Sequence, residues 1–191
     1  MGANLVTLAE YKAYASITST TQDTAISAII PKVSQLVKSI CRRTFVDYIN
    51  ENKEEVFSGG WPKLFLKEYP IIAIGSVEVS TNYGNTYEEL EEFTDYVLDM
   101  EDYSVACINA LEFPKYINGY KVTYTAGYED GLPEDLKLAV LDLVTYYVKN
   151  DASIHSPKAP GTNSVQIEYV TTSNLPAHIR RVLYLYTGSY D

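Results

Sequence analysis

The sequence predicts an α+β chain in which two long amphipathic helices pack together, a β-rich stretch is inserted between them, and a strand and a short helix follow. Three observations carry this reading. From Gln22 to Arg43 the apolar positions Ile26, Ile29, Ile30, Val33, Leu36, Val37 and Ile40 advance in threes and fours, the stripe of a helix with one buried face. A second stripe, Leu136, Val140, Leu143, Val144 and Tyr147, follows Pro133, with Glu134 and Asp135 in the first turn, where carboxylates suit the positive end of the helix dipole. Between the two, from Asn52 to Tyr128, the pattern changes to short β-branched and aromatic runs bounded by glycine, proline and asparagine, the signature of strands and turns.

Taken in order, Leu5, Leu8, Tyr11 and Tyr14 recur every three residues, and Thr7 and Glu10 have the spacing of a capping box, so residues 7–15 read as a short helix. Pro31 interrupts the next stripe; a missing amide and a clash with the preceding turn predict a kink or two abutting helices there. Within the β-rich insertion, 52–128, strands are expected at Leu64–Leu66, Ser76–Ser80, Tyr96–Leu98 and Lys121–Thr125, with Glu88–Glu92 as a solvated acidic loop or helical turn. Residues 151–164 hold two prolines and a glycine and read as a mobile loop. Val165–Val170 reads as a strand and Pro176–Tyr186 as a terminal helix. The length, 191 residues, fits a single domain spanning 1–191.

Composition excludes several function classes. A formal net charge of -10 has the wrong sign for a protein that holds nucleic acid by neutralising phosphates. The N-terminus lacks a basic region followed by an apolar stretch, and no apolar run reaches the length of a membrane span, so a soluble protein made in the cytoplasm and free of membrane contact is expected. Cys41 and Cys107 read as small buried thiols rather than a disulfide.

Catalytic chemistry is not found. His155 and His178, the two histidines, lie in the predicted loop and terminal helix outside any metal-ligand spacing. Gly59-Gly60 has no following Lys-Ser/Thr to cradle a phosphate and reads as a turn. Glu54-Glu55 and Asp99/Glu101/Asp102 lack the central glycine and terminal glutamate of a calcium loop and read as solvated acidic surface. No enzyme activity, cofactor or metal is expected. The 18 tyrosines against 5 phenylalanines favour surfaces that become interfaces, since tyrosine joins a large apolar area to a polar tip; a carbohydrate-binding β-module would use them as well.

The stretch ANLVTLAEYKAYASITSTTQDTAISAIIPKVSQLVKSICRRTF resembles the N-terminal half of the tailed-phage head-tail connector family, also called head completion or adaptor proteins. The start LVTLxEYK, the helix ending CRRTF (Cys41 to Phe45) and the segment VTYTAGYEDGLPEDLKLAVLDLV (Val122 to Val144) follow the family's pattern in order, and LKEYPIIAIGSVEV (Leu66 to Val79) is similar to members carrying a β-insertion. The resemblance implies a helical bundle of connector type, a ring of about twelve copies between the portal and the tail, and a structural role in completing the head and extending the DNA channel. Its implied partners are further copies of itself, the portal protein and a downstream tail or stopper protein, within the virion at the head-tail junction. Such a ring carries on the order of 120 net negative charges, so DNA is expected to pass without specific binding. A tail stopper or tail-completion protein is the neighbouring alternative. The segment 173–191 is expected to dock on the portal or a neighbouring subunit through His178, Ile179, Arg180, Arg181, Val182, Leu183 and Tyr186, because Ile179, Val182, Leu183 and Tyr186 form one apolar face and His178, Arg180 and Arg181 bring positive charge into an acidic chain. The plain alternative is that this helix closes the core of its own subunit.

Overall fold

A computed structural model describes residues 2–154 and 175–188. The chain divides into two compact units, 1–43 with 132–191 and 44–131. The described residues of the first hold four helices: α1 (Leu8–Tyr14), α2 (Asp23–Cys41), α3 (Glu134–Ile154) and α4 (Ala177–Leu185).

Thr7 and Glu10 form the capping box at the start of α1: the Thr7 hydroxyl accepts from the Glu10 amide, and the Glu10 carboxylate accepts from the Thr7 amide at 2.7 Å. The same carboxylate pairs with Lys137 at 2.6 Å, tying α1 to α3, and that ammonium holds the Glu10 carboxyl below its ordinary range. In α2, Ile26, Ile30, Val33, Val37 and Cys41 are all buried, the stripe that the spacing predicts. The helix runs unbroken through Pro31. Pro31 and Ser27 both sit on the exposed side, where a carbonyl deprived of its helical donor is satisfied by water. Leu5 and Val6 are buried ahead of α1, and the Leu5 amide donates to the buried Ser34 hydroxyl at 3.0 Å. Leu136, Ala139, Val140, Leu143 and Val144 form the buried face of α3, which packs against α2 and α4. The α3 helix extends to Ile154. The rest of the expected loop, His155 and the expected strand Val165–Val170 lie outside the described residues.

The second unit contains seven strands: β1 (Tyr48–Phe57), β2 (Lys63–Phe65), β3 (Ile71–Val79), β4 (Glu88–Glu89), β5 (Tyr96–Asp99), β6 (Ser104–Cys107) and β7 (Tyr120–Ala126). They form two antiparallel sheets, in the orders β1-β7-β3-β4 and β2-β6-β5. β7 lies at the centre of its contacts, paired with β1 on one side and β3 on the other. Tyr120, Val122, Tyr124 and Ala126 alternate inward along it, as a strand with one buried face requires. They meet Leu64, Leu66, Ile71, Val77, Tyr96, Val105 and Phe113 in one cluster, so the two sheets share a core.

These elements correct the expected fold. A helical bundle of connector type, built on a long N-terminal helix and carrying the strands as an insertion, is not what forms. Seven strands stand against four helices among the described residues, and residues 44–131 build two antiparallel sheets around a core of their own. Helical periodicity is local and therefore conspicuous in a sequence. The pairing of Tyr48 with Ala126 is not, so strand content is easily read as decoration.

Candidate functional site: an assembly surface

The residues expected to dock on a partner divide according to which way α4 faces. Ile179 and Leu183 are buried in the unit's own core. The buried Cys41 thiol approaches the Leu183 carbonyl at 3.6 Å, the Arg43 guanidinium donates to the Tyr186 carbonyl at 3.5 Å, and the Gly188 amide donates to the Cys41 carbonyl at 3.2 Å. The Tyr186 hydroxyl donates to Asp135 at 2.5 Å. Ile179 and Leu183, the inner half of the apolar face of α4, are thus covered within their own chain. Arg180, Val182 and Tyr186 are half-buried. His178 and Arg181 are exposed, with His178 Nε2 3.6 Å from Asp142. Alongside them stand two residues that sequence reasoning missed, Tyr184 and Leu185, 65% and 72% exposed. Their spacing from Arg181 placed them on the polar side of the helix, but an expectation built on the buried face drew attention away from them.

A second surface lies at one end of the β2-β6-β5 sheet. β2 begins, β5 begins and β6 ends there, since Lys63 pairs with Ala106 and Tyr96 with Cys107. The loops leaving this end carry Trp61, Phe93 and Leu111, 67%, 75% and 96% exposed, and the exposed Ile108. Backbone hydrogen bonds hold those loops: Phe113 N to Trp61 O at 2.9 Å, Gly60 N to Phe113 O at 2.7 Å, and Ile108 N to Asp95 O at 3.2 Å. The Asn109 side chain also donates to the Asp95 carboxylate at 2.8 Å. Gly59 makes the approach possible, because a Cβ there would stand 1.9 Å from the Pro114 carbonyl oxygen. The Gly59-Gly60 turn therefore presents Trp61, a role its sequence did not disclose. Glu91, Glu92 and Glu112 are exposed on the same loops, and Lys115 is exposed after Phe113.

The acidic clusters behave differently from one another. Lys63 bridges Asp99 at 2.7 Å and Asp102 at 2.6 Å, so two of the carboxylates considered as calcium ligands share an ammonium that offsets part of their charge. Of the pair read as solvated surface, Glu54 is exposed but Glu55 is buried, which corrects that reading. Its Oε1 accepts from the Tyr124 hydroxyl at 2.8 Å, and that hydroxyl accepts from the Glu68 amide at 3.1 Å. The buried Glu68 carboxylate in turn accepts from the Thr44 amide at 3.1 and 3.0 Å. Tyrosine excess thus serves the core as well as the surface: Tyr11, Tyr96, Tyr120 and Tyr124 are buried, and the hydroxyls of the last two are paired.

Burial pushes the Glu55 carboxyl above its ordinary value of 4.5. A carboxyl with a raised folded-state pKa favours the fold below its unfolded value and loses that contribution as pH rises through the folded value. Glu55→Gln is therefore expected to melt above the wild type at pH 8, with the gap closing as pH falls toward 4.5. Melts across that range check it, and a gap independent of pH would contradict the assignment.

No group of three histidine, cysteine or acidic side chains among the described residues is arranged to hold a metal. No helix among them is long and apolar enough to cross a membrane. Cys41 and Cys107 are free thiols, and burial pushes Cys41 up to about 12, far from thiolate reactivity.

The model of a family described as Head completion protein matches residues 4–188. No curated protein matches. Three solved structures share the fold at low identity. A chain from the neck of an empty gene transfer agent particle, computed with C6 symmetry, is 13% identical with a TM-score of 0.60, over 98% of this chain and 91% of that one. A chain from the neck of the native particle, computed with C12 symmetry, is 13% identical with a TM-score of 0.57, over 100% and 97%. A chain from the virion of the native particle is 12% identical with a TM-score of 0.61, over 98% and 91%.

Proposed function

Because the chain belongs to the head completion protein family, a family of structural virion proteins of the head-tail junction, we propose that it assembles as a ring between the portal and the tail, completing the head and extending the DNA channel. The observation that carries this is the match of the family over residues 4–188. The likeness of fold to a chain from a particle neck computed with C12 symmetry supports a ring of about twelve copies. The portal on one side and a tail or stopper protein on the other are the partners this position requires. The net charge of -10 supports passive transit, since an acidic wall repels phosphate and lets DNA slide. The exposed aromatic and apolar side chains at the end of the β2-β6-β5 sheet and on α4 supply the kind of area that subunit contacts bury.

Electron microscopy of particles carrying a tagged copy is expected to find the label at the head-tail junction, in a ring with portal-matched symmetry. The purified chain is expected to show no salt-sensitive micromolar affinity for duplex DNA. Label elsewhere in the particle would overturn the position, and such an affinity would overturn the passive channel.

A further inference from the structure

We infer that the apolar, acid-rimmed end of the β2-β6-β5 sheet docks on the exposed stripe of α4 in a neighbouring copy, a head-to-tail contact repeated around the ring. The inference rests on the ring reading and names the surfaces that close it. The residues of both surfaces are exposed. Trp61, Phe93, Ile108 and Leu111 extend from loops pinned by backbone hydrogen bonds. A held surface of this kind loses little conformational entropy on docking, which is the condition for apolar area to be converted into affinity. Their rim is acidic through Glu91, Glu92 and Glu112.

The α4 stripe has the complementary character. His178, Arg181, Tyr184 and Leu185 recur at helical spacing on its exposed side, and Arg180 is half-buried beside them. Tyrosine and leucine offer apolar contact while Arg181 offers charge opposite to the glutamates, in a chain with 15 basic residues against 25 acidic ones. Pairing the sheet end with itself would set glutamates against glutamates. Pairing unlike surfaces avoids this, and a contact between two different patches is the geometry that generates rings rather than isolated dimers.

The test uses the full chain with Cys107→Ser as background, leaving Cys41 buried, and a short bismaleimide cross-linker applied to purified particles and to concentrated protein. Leu111→Cys combined with Leu185→Cys is expected to give a ladder of covalent multimers, and each single variant is expected to stay monomeric on denaturing gels. Arg181→Glu is expected to raise the concentration needed for assembly by roughly tenfold, and Glu92→Arg to recover most of that loss in the double variant. Dimers from Leu111→Cys alone would mean that the sheet end pairs with itself and would overturn the inference. Rings without a ladder from the double variant would also overturn it, by assigning closure to other surfaces, while leaving the ring reading intact. Absence of rings from both particles and solution would sink the ring reading and this contact together.

Discussion

Val33→Asp is expected to abolish the packing of helices α1 to α4. Val33 is 1% exposed and lies in the middle of the α2 stripe, between Ile30 and Val37. A carboxylate at that position either ionises without a partner or takes up a proton, and in both cases displaces apolar contacts. The cost is on the order of 4 kcal/mol, comparable to the whole stability of a small domain. Loss of helical ellipticity at 222 nm on melting is the readout, with Gln35→Asp, an exposed position on the same helix, as a control expected to shift stability by no more than about 0.5 kcal/mol. An unchanged melting temperature for Val33→Asp would show that α2 does not bury this face.

The reason this prediction could be framed from residue spacing is that helices declare themselves locally. The stripe of α2, the Thr7–Glu10 capping box and the apolar face of α3 were all legible, because each depends on residues within a few turns of one another. β1 was not. Its Glu54-Glu55 pair reads as solvated surface until Tyr124 arrives from β7 to cover Glu55. The shared core of the two sheets draws residues from Leu64 to Ala126, and nothing in the local pattern of a three-residue strand such as β2 announces membership of it. The bundle expectation failed for that reason: it weighted the periodic segments and treated the non-local ones as appended.

The candidate site was legible in part. The terminal helix was correctly singled out as amphipathic, but an apolar face says only that something covers it. Residue spacing cannot distinguish a neighbouring subunit from the chain's own α2 and α3. At the end of the β2-β6-β5 sheet the opposite holds. Trp61, Phe93, Ile108 and Leu111 are scattered along the sequence, and only the antiparallel register of three short strands brings their loops to one end.

Truncation after Thr172 is expected to cost the helical unit its fold, and to do so before any question of assembly arises. The deletion removes Leu175, Ile179 and Leu183, all buried, and uncovers Cys41 and Arg43, which now contact Leu183, Tyr186 and Gly188. Burying an aliphatic side chain of this size contributes roughly 1.5–3 kcal/mol, so three of them approach the stability of the unit. Leu183→Ala alone is expected to cost about 2–5 kcal/mol through the cavity it leaves. Tyr184→Ala with Leu185→Ala should leave the melting temperature nearly unchanged, because both side chains face solvent, yet impair joining of heads to tails if the outer stripe is an assembly surface. The two kinds of variant thus separate the inner face of α4 from its outer one. A truncated chain that melts like the wild type but fails to assemble would reassign the whole segment to docking. A truncated chain that both folds and joins heads to tails would remove α4 from the core and from the interface alike.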